Sequence, residues 1–166
     1  MDDLKGKVAI VTGAGGRRGI GKAISIRLAQ KGVKVVVSDV VEIPYLDGDW
    51  KGVNSVVEEI KISGGEAISK VADVRNSRSV ESLIGFTIEN FGNVDILVNN
   101  AGAIFTALFQ MTSMNKLKEM FEINYFSQIL LTQYMSRIMM RQKSGSIINI
   151  SSSAALEGNE GRTAYA

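Results

Sequence analysis

Two residue types that carry much of protein chemistry are missing from this sequence. Its 166 residues include no cysteine and no histidine. Without cysteine there is no disulfide framework and no thiolate metal ligand, and without histidine as well a zinc or haem centre is not expected. We therefore expect no metal site, and any catalysis must use other side chains.

Proline and long apolar runs are also scarce. There is one proline against 17 glycines, and most of the glycines stand between apolar runs, which is typical of turns. No stretch approaches the ~18 apolar residues of a membrane span. The start, "MDDLKGKVAIVTG", is acidic and polar, unlike a secretory signal, which is basic and then apolar. We expect a cytoplasmic protein.

Charge is balanced, because 19 basic and 17 acidic residues leave a formal net charge of +2. The lysines and arginines are dispersed, so neither nucleic acid nor a membrane surface is an expected partner. With 45% hydrophobic and 22% charged residues, no internal repeat and no linker, residues 1–166 are predicted to form a single globular domain.

Short β-branched runs alternate with longer segments of helical period. This alternation predicts an α/β fold in which helices cover both faces of a parallel sheet. The predicted strands are residues 7–12, 33–38, 66–71, 94–99 and 146–151. The predicted helices include Ile20, Ile24 and Leu28 in the first and Val53, Val56, Val57 and Ile60 in the second, followed by residues 77–90 and 115–142.

The connection at residues 40–52, "VVEIPYLDGDWKG", is long for a strand-to-helix loop and holds the only proline and the only tryptophan. A tolerated surface insertion is the favoured interpretation. The alternative is a segment that helps to cover a ligand, since it follows the second strand.

A glycine-rich segment, "TGAGGRRGIG" at residues 12–21, joins the first strand to the first helix. Glycines let a backbone turn tightly and approach a pyrophosphate, while a helix N-terminus offers free N–H groups and the positive end of a dipole. The strict G-x-G-x-x-G spacing is absent, so position gives this hypothesis its weight. The segment predicts a dinucleotide phosphate site.

Asp39 closes the second strand, where a carboxylate can accept hydrogen bonds from a ribose 2′-OH. This position favours NAD. Arg17 and Arg18 leave NADP possible, because an arginine in the glycine-rich segment could bind a 2′-phosphate.

Several motifs occur in an order that resembles the short-chain dehydrogenase/reductases, from residue 7 to the end. The family's T-G-x-x-x-G-x-G is matched by Thr12 and Gly13, then five residues in place of three, then Gly19, Ile20 and Gly21. "ADV" at 72–74, "NNAG" at 99–102, "EINYFSQ" at 122–128 and "NISSSAA" at 149–155 follow in register. The chain closes on "GRTAYA", which places Tyr165 where the family has its Y-x-x-x-K tyrosine.

The resemblance implies a Rossmann-like, doubly wound sheet of strand order 3-2-1-4-5, with the family's later strands and helices missing. It implies a role for each matched position. The cofactor-binding residues would be Gly13, Gly15, Arg17, Arg18, Gly19, Ile20, Gly21, Asp39, Asp73, Val74, Asn100, Ala101 and Gly102. The catalytic residues would be Asn124, Ser152 and Tyr165.

The motif's lysine would fall at position 169, beyond the last residue given. In the family this lysine places positive charge beside the phenol, whose unperturbed pKa is about 10. We therefore expect negligible turnover from the 166-residue chain, and we expect the functional protein to be longer.

The resemblance implies an NAD(P)-dependent oxidoreductase that transfers a hydride between a nicotinamide and a secondary alcohol or ketone of a small molecule. Two alternatives stay open: a 3-oxoacyl-thioester reductase, and a catalytically silent dinucleotide-binding fragment. A homodimer or homotetramer is also implied, since the family packs its long helix against a partner chain. Ala103, Ile104 and residues 153–158 would form a mainly apolar substrate wall.

Overall fold

The fold is a five-stranded parallel sheet with helices on both faces, seen here in a computed structural model that describes residues 4–44 and 47–166. The strands are β1 (Val8–Val11), β2 (Lys34–Asp39), β3 (Ala67–Val71), β4 (Ile96–Asn99) and β5 (Ser146–Asn149). The helices are α1 (Ile20–Ala29), α2 (Val53–Ile62), α3 (Ser77–Phe91), α4 (Met114–Phe121) and α5 (Ser127–Gln142). All five predicted strands and the first three predicted helices are confirmed, and the predicted ends differ from the observed ones by at most two residues.

The strand order is β3-β2-β1-β4-β5, and every neighbouring pair is parallel, which confirms the predicted topology. The chain builds outward from β1 through β2 to β3 and then returns to add β4 and β5 on the other side. Such a reversal leaves a crevice beyond the carboxyl ends of β1 and β4, where open α/β sheets bind their ligands.

Alternation along the central strands places apolar side chains on both faces of the sheet. Ala9 and Val11 of β1 pack with α1 and α2, whereas Ile10 between them packs with α3 and α5. Because successive strand residues point to opposite faces, a run such as "VAIV" that is buried throughout requires helices on both sides. β5 is an edge strand, and its Ile148 is 43% exposed.

The long helix predicted over residues 115–142 has the expected extent but is not uniform. A π-helical turn at Glu122–Phe126 separates α4 from α5. Single π turns inside α-helices occur often at functional sites. The prediction of one regular helix was wrong at this turn, since hydrophobic period alone does not detect one extra residue per turn.

Candidate functional site

A cleft of about 260 Å³ lies beyond the carboxyl ends of β1, β2 and β4. Five segments line it: the glycine-rich segment, the start of residues 40–52, the "ADV" segment, "NNAG" and the π turn. Its lining residues are Thr12, Gly13, Gly16, Gly19, Ser38, Asp39, Val40, Pro44, Ala72, Asp73, Val74, Arg75, Asn100, Ala101, Gly102, Ala103 and Ile123. The crevice expected from the strand order is therefore present.

Two glycines let the floor of this cleft pack closely. Gly13 has φ +62°, and a Cβ there would lie 2.6 Å from the Cα of Ala101. A Cβ on Gly21 would lie 2.6 Å from Nδ2 of Asn100 and 2.7 Å from the carbonyl oxygen of Gly13. The Asn100 amide donates to the carbonyls of Thr12 and Gly13, at 2.9 Å each, and so joins the segment after β4 to the glycine-rich segment. No larger residue fits at either glycine without moving backbone.

Asp39 lines the cleft, and both of its carboxylate oxygens accept backbone hydrogen bonds. Oδ2 accepts from the N–H of Gly15 at 2.9 Å and Oδ1 from the N–H of Val40 at 2.8 Å. A carboxylate has about four lone-pair positions, so two of them are still able to accept from a ligand hydroxyl. The side chain thus orients the glycine-rich segment and keeps capacity for a ligand.

Residues 40–52 are largely exposed where the structure describes them, as expected of a surface segment, but Trp50 is an exception. Trp50 is only 9% exposed, and its indole Nε1 donates to the Gly15 carbonyl at 2.8 Å. Val40 and Pro44 line the cleft. Of this segment, Tyr45 and Leu46 lie outside the described residues. Val40 and Pro44 thus contribute to the cleft wall before that gap, and Trp50 contacts the glycine-rich segment after it.

Arg17 and Arg18 border a second, more open depression beside the cleft. Gly16, Gly19 and Asp47 complete its lining, and its volume is about 410 Å³. The Arg17 guanidinium lies 3.4 Å from Asp47, with both side chains nearly half exposed. The two arginines are thus not among the residues that line the cleft with Asp39.

Asp73 forms a two-pronged ion pair with Arg75 on the cleft wall. The guanidinium donates to Oδ1 at 2.9 Å and to Oδ2 at 2.8 Å, and the Arg75 backbone N–H donates to Oδ1 as well. These hydrogen bonds lower the pKa of the Asp73 carboxyl, although partial burial opposes the shift. Val74 between them is buried.

Replacing Arg75 with alanine is expected to raise the pKa of Asp73, because the main cause of its depression is removed while the burial remains. The pair stabilises the fold above the unfolded-state pKa near 3.8, and that stability is lost as pH falls through the lower folded-state pKa. A carboxyl-carbon NMR titration of wild type, R75A and the charge-retaining R75K measures this. An unchanged Asp73 midpoint in R75A would contradict the assignment.

Asn124 lies within the π turn and is held by one backbone unit. Its Oδ1 accepts from the N–H of Ala103 and its Nδ2 donates to the carbonyl of the same residue, at 2.9 Å each. The amide therefore fixes the segment after "NNAG", at the point where Ala103 and Ile123 line the cleft. Ile104, expected in an apolar wall, is largely exposed.

Ser152 and Tyr165 follow β5. Ser152 begins a short 3₁₀ turn (Ser153–Ala155), and its hydroxyl accepts from the N–H of Ala154 at 3.2 Å. Tyr165 is half-buried and lies in a turn, where its own backbone N–H donates to the Arg162 carbonyl. Within residues 4–44 and 47–166, no hydrogen bond joins Asn124, Ser152 and Tyr165 to one another, and none of the three lines the cleft.

The predicted cofactor residues divide into three groups. Those that line the cleft are Gly13, Gly19, Asp39, Asp73, Val74, Asn100, Ala101 and Gly102. Arg17 and Arg18 line the second depression. Gly15, Ile20 and Gly21 support the glycine-rich segment: Gly15 is bound by Asp39 and Trp50, Gly21 is buried beneath the loop, and Ile20 begins α1 with its side chain exposed.

Sequence reasoning gave no site role to Thr12 and Arg75, which line the cleft, or to Trp50, which contacts the glycine-rich segment beside it. The Thr12 hydroxyl accepts from the backbone N–H groups of Asn100 and Ala101, at 3.1 Å each. Thr12 begins the glycine-rich segment, and Arg75 directly follows "ADV". A basic residue two positions after an aspartate was a usable signal, whereas no signal linked Trp50 to Gly15.

The described part of the chain offers neither a cluster of metal ligands nor a membrane-spanning helix. No cluster of three or more acidic side chains there is arranged to hold a metal ion. Nor does any helix in residues 4–44 and 47–166 have the length and apolar character needed to cross a membrane.

Comparison with known proteins places these features in a family. The sequence profile described as short chain dehydrogenase matches residues 7–166. The chain is 40% identical over 165 residues to a 3-oxoacyl-[acyl-carrier-protein] reductase of Synechocystis sp., covering 99% of this chain and 63% of that protein. It is 39% identical over 163 residues to a 7alpha-hydroxysteroid dehydrogenase of Escherichia coli, covering 98% and 60%.

The fold has a solved counterpart as well. A crystal structure of a short-chain dehydrogenase/reductase from Burkholderia xenovorans superposes with a TM-score of 0.88 at 31% identity, covering 98% of this chain and 63% of that one. The chain thus spans 60–63% of the length of these curated relatives. The profile match over almost the whole chain and the shared parallel sheet lead to one conclusion: the chain belongs to the short-chain dehydrogenase family.

Proposed function

We propose that this chain is the dinucleotide-binding domain of an NAD(P)-dependent oxidoreductase that interconverts a secondary alcohol and a ketone. One observation carries the proposal. The close-packed glycine-rich segment and the Asp39 carboxylate face the same cleft, at the carboxyl ends of adjacent strands. A pyrophosphate needs the first of these features and an adenosine ribose the second.

The residues of the cleft fit the parts of a dinucleotide in order. The backbone of the glycine-rich segment would receive the pyrophosphate, and Asp39 would accept from the ribose 2′-OH. Asp73 and Val74 would border the adenine, with Asn100, Ala101 and Gly102 on the opposite wall. A side chain at Gly13 or Gly21 would collide with neighbouring atoms, so at these two positions only backbone is available to a phosphate.

NAD is the proposed cofactor rather than NADP. A 2′-phosphate beside Asp39 would place like charges together, which costs several kcal/mol at a recognition site. Arg17 and Arg18 border the separate depression rather than the cleft, and Arg17 there lies 3.4 Å from Asp47.

The nicotinamide of a bound cofactor would supply or accept the hydride. We assign the proton transfer to Tyr165: its hydroxyl would give the proton to the carbonyl oxygen in reduction, and its phenolate would take the proton from the alcohol in oxidation. The Ser152 hydroxyl would donate a hydrogen bond to the substrate oxygen. Asn124, whose amide is paired with Ala103, would hold the helix and the cleft wall in place beside that proton path.

The substrate class rests on the relatives. One acts, by its name, on a 3-oxoacyl group carried by acyl carrier protein and the other on a 7alpha-hydroxysteroid. A carbon that carries a hydroxyl or a keto group is common to both. We therefore propose a small molecule with a secondary alcohol or ketone. Reduction of a 3-oxoacyl thioester is the second candidate, favoured by the Synechocystis relative.

The setting of the protein is also a proposal. We infer one domain over residues 1–166, a cytoplasmic location and a homodimer or homotetramer. Phe121, Tyr125 and Phe126 support the association, since these three neighbouring rings are each about half exposed at the junction of α4 and α5. Aromatic groups of this kind are enriched where protein surfaces meet.

Calorimetric titration with NADH and NADPH tests the cofactor. Wild type is expected to prefer NADH by about tenfold or more, which corresponds to about 1.4 kcal/mol. In D39A that ratio is expected to fall towards one, because the repelling charge is gone. D39N is the matched control, since it loses the charge but keeps an acceptor for the Gly15 N–H. Failure of wild type to bind either nucleotide would overturn the proposal.

Binding alone does not separate an oxidoreductase from a catalytically silent nucleotide-binding module. Reduction of NAD in the presence of a secondary alcohol does so, in a chain where the Y-x-x-x-K motif is complete. Binding without turnover there would favour the silent module.

A further inference from the structure

We propose that Trp50 is a positioning residue for the phosphate-binding loop, acting through a hydrogen bond from its indole N–H to the carbonyl of Gly15. The inference rests on the proposed dinucleotide site. It gives a role to the part of the 40–52 connection around Trp50, which supports the glycine-rich segment through this hydrogen bond.

The peptide groups of Gly15 are held from two directions. Its N–H donates to Asp39 Oδ2 at 2.9 Å and its carbonyl accepts from Trp50 Nε1 at 2.8 Å in a buried contact. A Cβ at Gly15 would meet the Pro44 ring at 3.0 Å, so the same connection also lies against the loop sterically. The orientation of this part of the loop therefore depends on both residues.

Trp50 is itself held by the core. It belongs to the buried cluster formed by the sheet, α1 and α2, which also contains Val53 and Val56. The Lys22 ammonium lies 4.5 Å from the ring centroid and also pairs with Glu59 of α2 at 2.8 Å. Cation–π contact adds to the burial of an indole. An anchor fixed in the core can transmit its position to the loop that it binds.

The base of the connection is closed as well. The N–H of Val53 donates to the Glu42 carbonyl at 3.0 Å. Gly52 has φ +58°, and any Cβ there would overlap that same carbonyl. The connection from 40 to 52 is 13 residues long, but its two ends are hydrogen-bonded to each other close to Trp50.

A braced loop matters here because the glycine-rich segment is long. Five residues separate Gly13 from Gly19, and longer loops lose more entropy when they are ordered. A bond that orders the loop before binding removes part of this cost from the binding step. We therefore expect the Trp50 hydrogen bond to raise the affinity for ligands that contact the loop, and to leave unchanged the affinity for ligands that bind elsewhere in the cleft.

The experiment replaces the indole without changing its shape. Because Trp50 is the only tryptophan, global incorporation of benzothienylalanine substitutes this position alone and puts sulfur in place of the N–H. W50F is the genetic counterpart. Wild type and both variants are titrated with ADP-ribose, which contains the pyrophosphate, and with adenosine, which lacks it. Urea unfolding of each protein monitors stability.

We expect ADP-ribose to bind about three- to tenfold more weakly to both variants, the effect of one hydrogen bond. Adenosine affinity is expected to be unchanged. Equal affinity of wild type and the isostere for ADP-ribose, or an equal loss for both ligands, would overturn the positioning role while leaving the cofactor site intact. A wild type that binds neither ligand would overturn the proposed function, and this inference with it.

Discussion

Replacing Gly21 with alanine is expected to weaken dinucleotide binding about a hundredfold, or about 2.8 kcal/mol, and to destabilise the fold by about 1–3 kcal/mol. The added methyl would lie 2.6 Å from the Asn100 amide and 2.7 Å from the Gly13 carbonyl. Both belong to the network that shapes the floor of the cleft, so relief of the clash must displace that floor. Calorimetry with NADH and urea unfolding measure the two effects.

Gly85 provides the matched control, because it is also a helical glycine but has no heavy atom within 4 Å of an added Cβ. G85A is expected to stabilise the protein by about 0.5–1 kcal/mol through helix propensity and to leave NADH affinity unchanged. If G21A and G85A behaved alike, helix propensity rather than packing would explain Gly21.

Asp95→Ala is expected to destabilise the fold by about 2–4 kcal/mol, the largest loss that we predict for a residue outside the cleft. The carboxylate is 6% exposed and accepts three hydrogen bonds, from the Val8 N–H, the Lys7 ammonium and the Asn93 amide. Its removal leaves donors at the start of β1 without their partner and removes a side-chain link between β1 and the segment before β4, although the backbone pairing of the two strands remains. Urea unfolding at neutral pH gives the free energy.

Asp47 serves as the comparison for Asp95, since it too pairs with a basic residue, Arg17, but does so in solvent. Exposed ion pairs contribute about 0–1 kcal/mol, so D47A is expected to change stability by less than about 0.5 kcal/mol. Similar losses in D95A and D47A would mean that burial of the carboxylate is not what makes Asp95 important.

The parts of this fold that sequence predicts are those governed by local periodicity. "KVAIVT" and "VKVVVS" are apolar on both faces, and β1 and β2 are buried on both faces. The glycine-rich segment predicts a tight turn after the first strand, and a Cβ at Gly13 or Gly21 would indeed collide with neighbouring atoms. Family resemblance added the strand order, which no single strand encodes.

The features that escaped prediction depend on contacts between distant residues. Trp50 and Gly15 are 35 positions apart, and the sequence around a tryptophan does not indicate which carbonyl its indole N–H binds. The π turn arises where Asn124 finds both backbone groups of Ala103, 21 residues earlier. Arg75 was overlooked for another reason: it binds its near neighbour Asp73, but family motifs direct attention to the aspartate alone.

The buried indole of Trp50 also makes this molecule optically simple. Since it is the only tryptophan in the chain, emission excited at the red edge of the absorption band comes from one point, 2.8 Å from the backbone of the glycine-rich segment. The Lys22 ammonium above the ring and the hydrogen-bonded N–H both influence the emission of an indole. Trp50 is therefore an intrinsic fluorescent probe beside the loop proposed to receive the phosphates, and movements of that loop can be followed without attaching a dye.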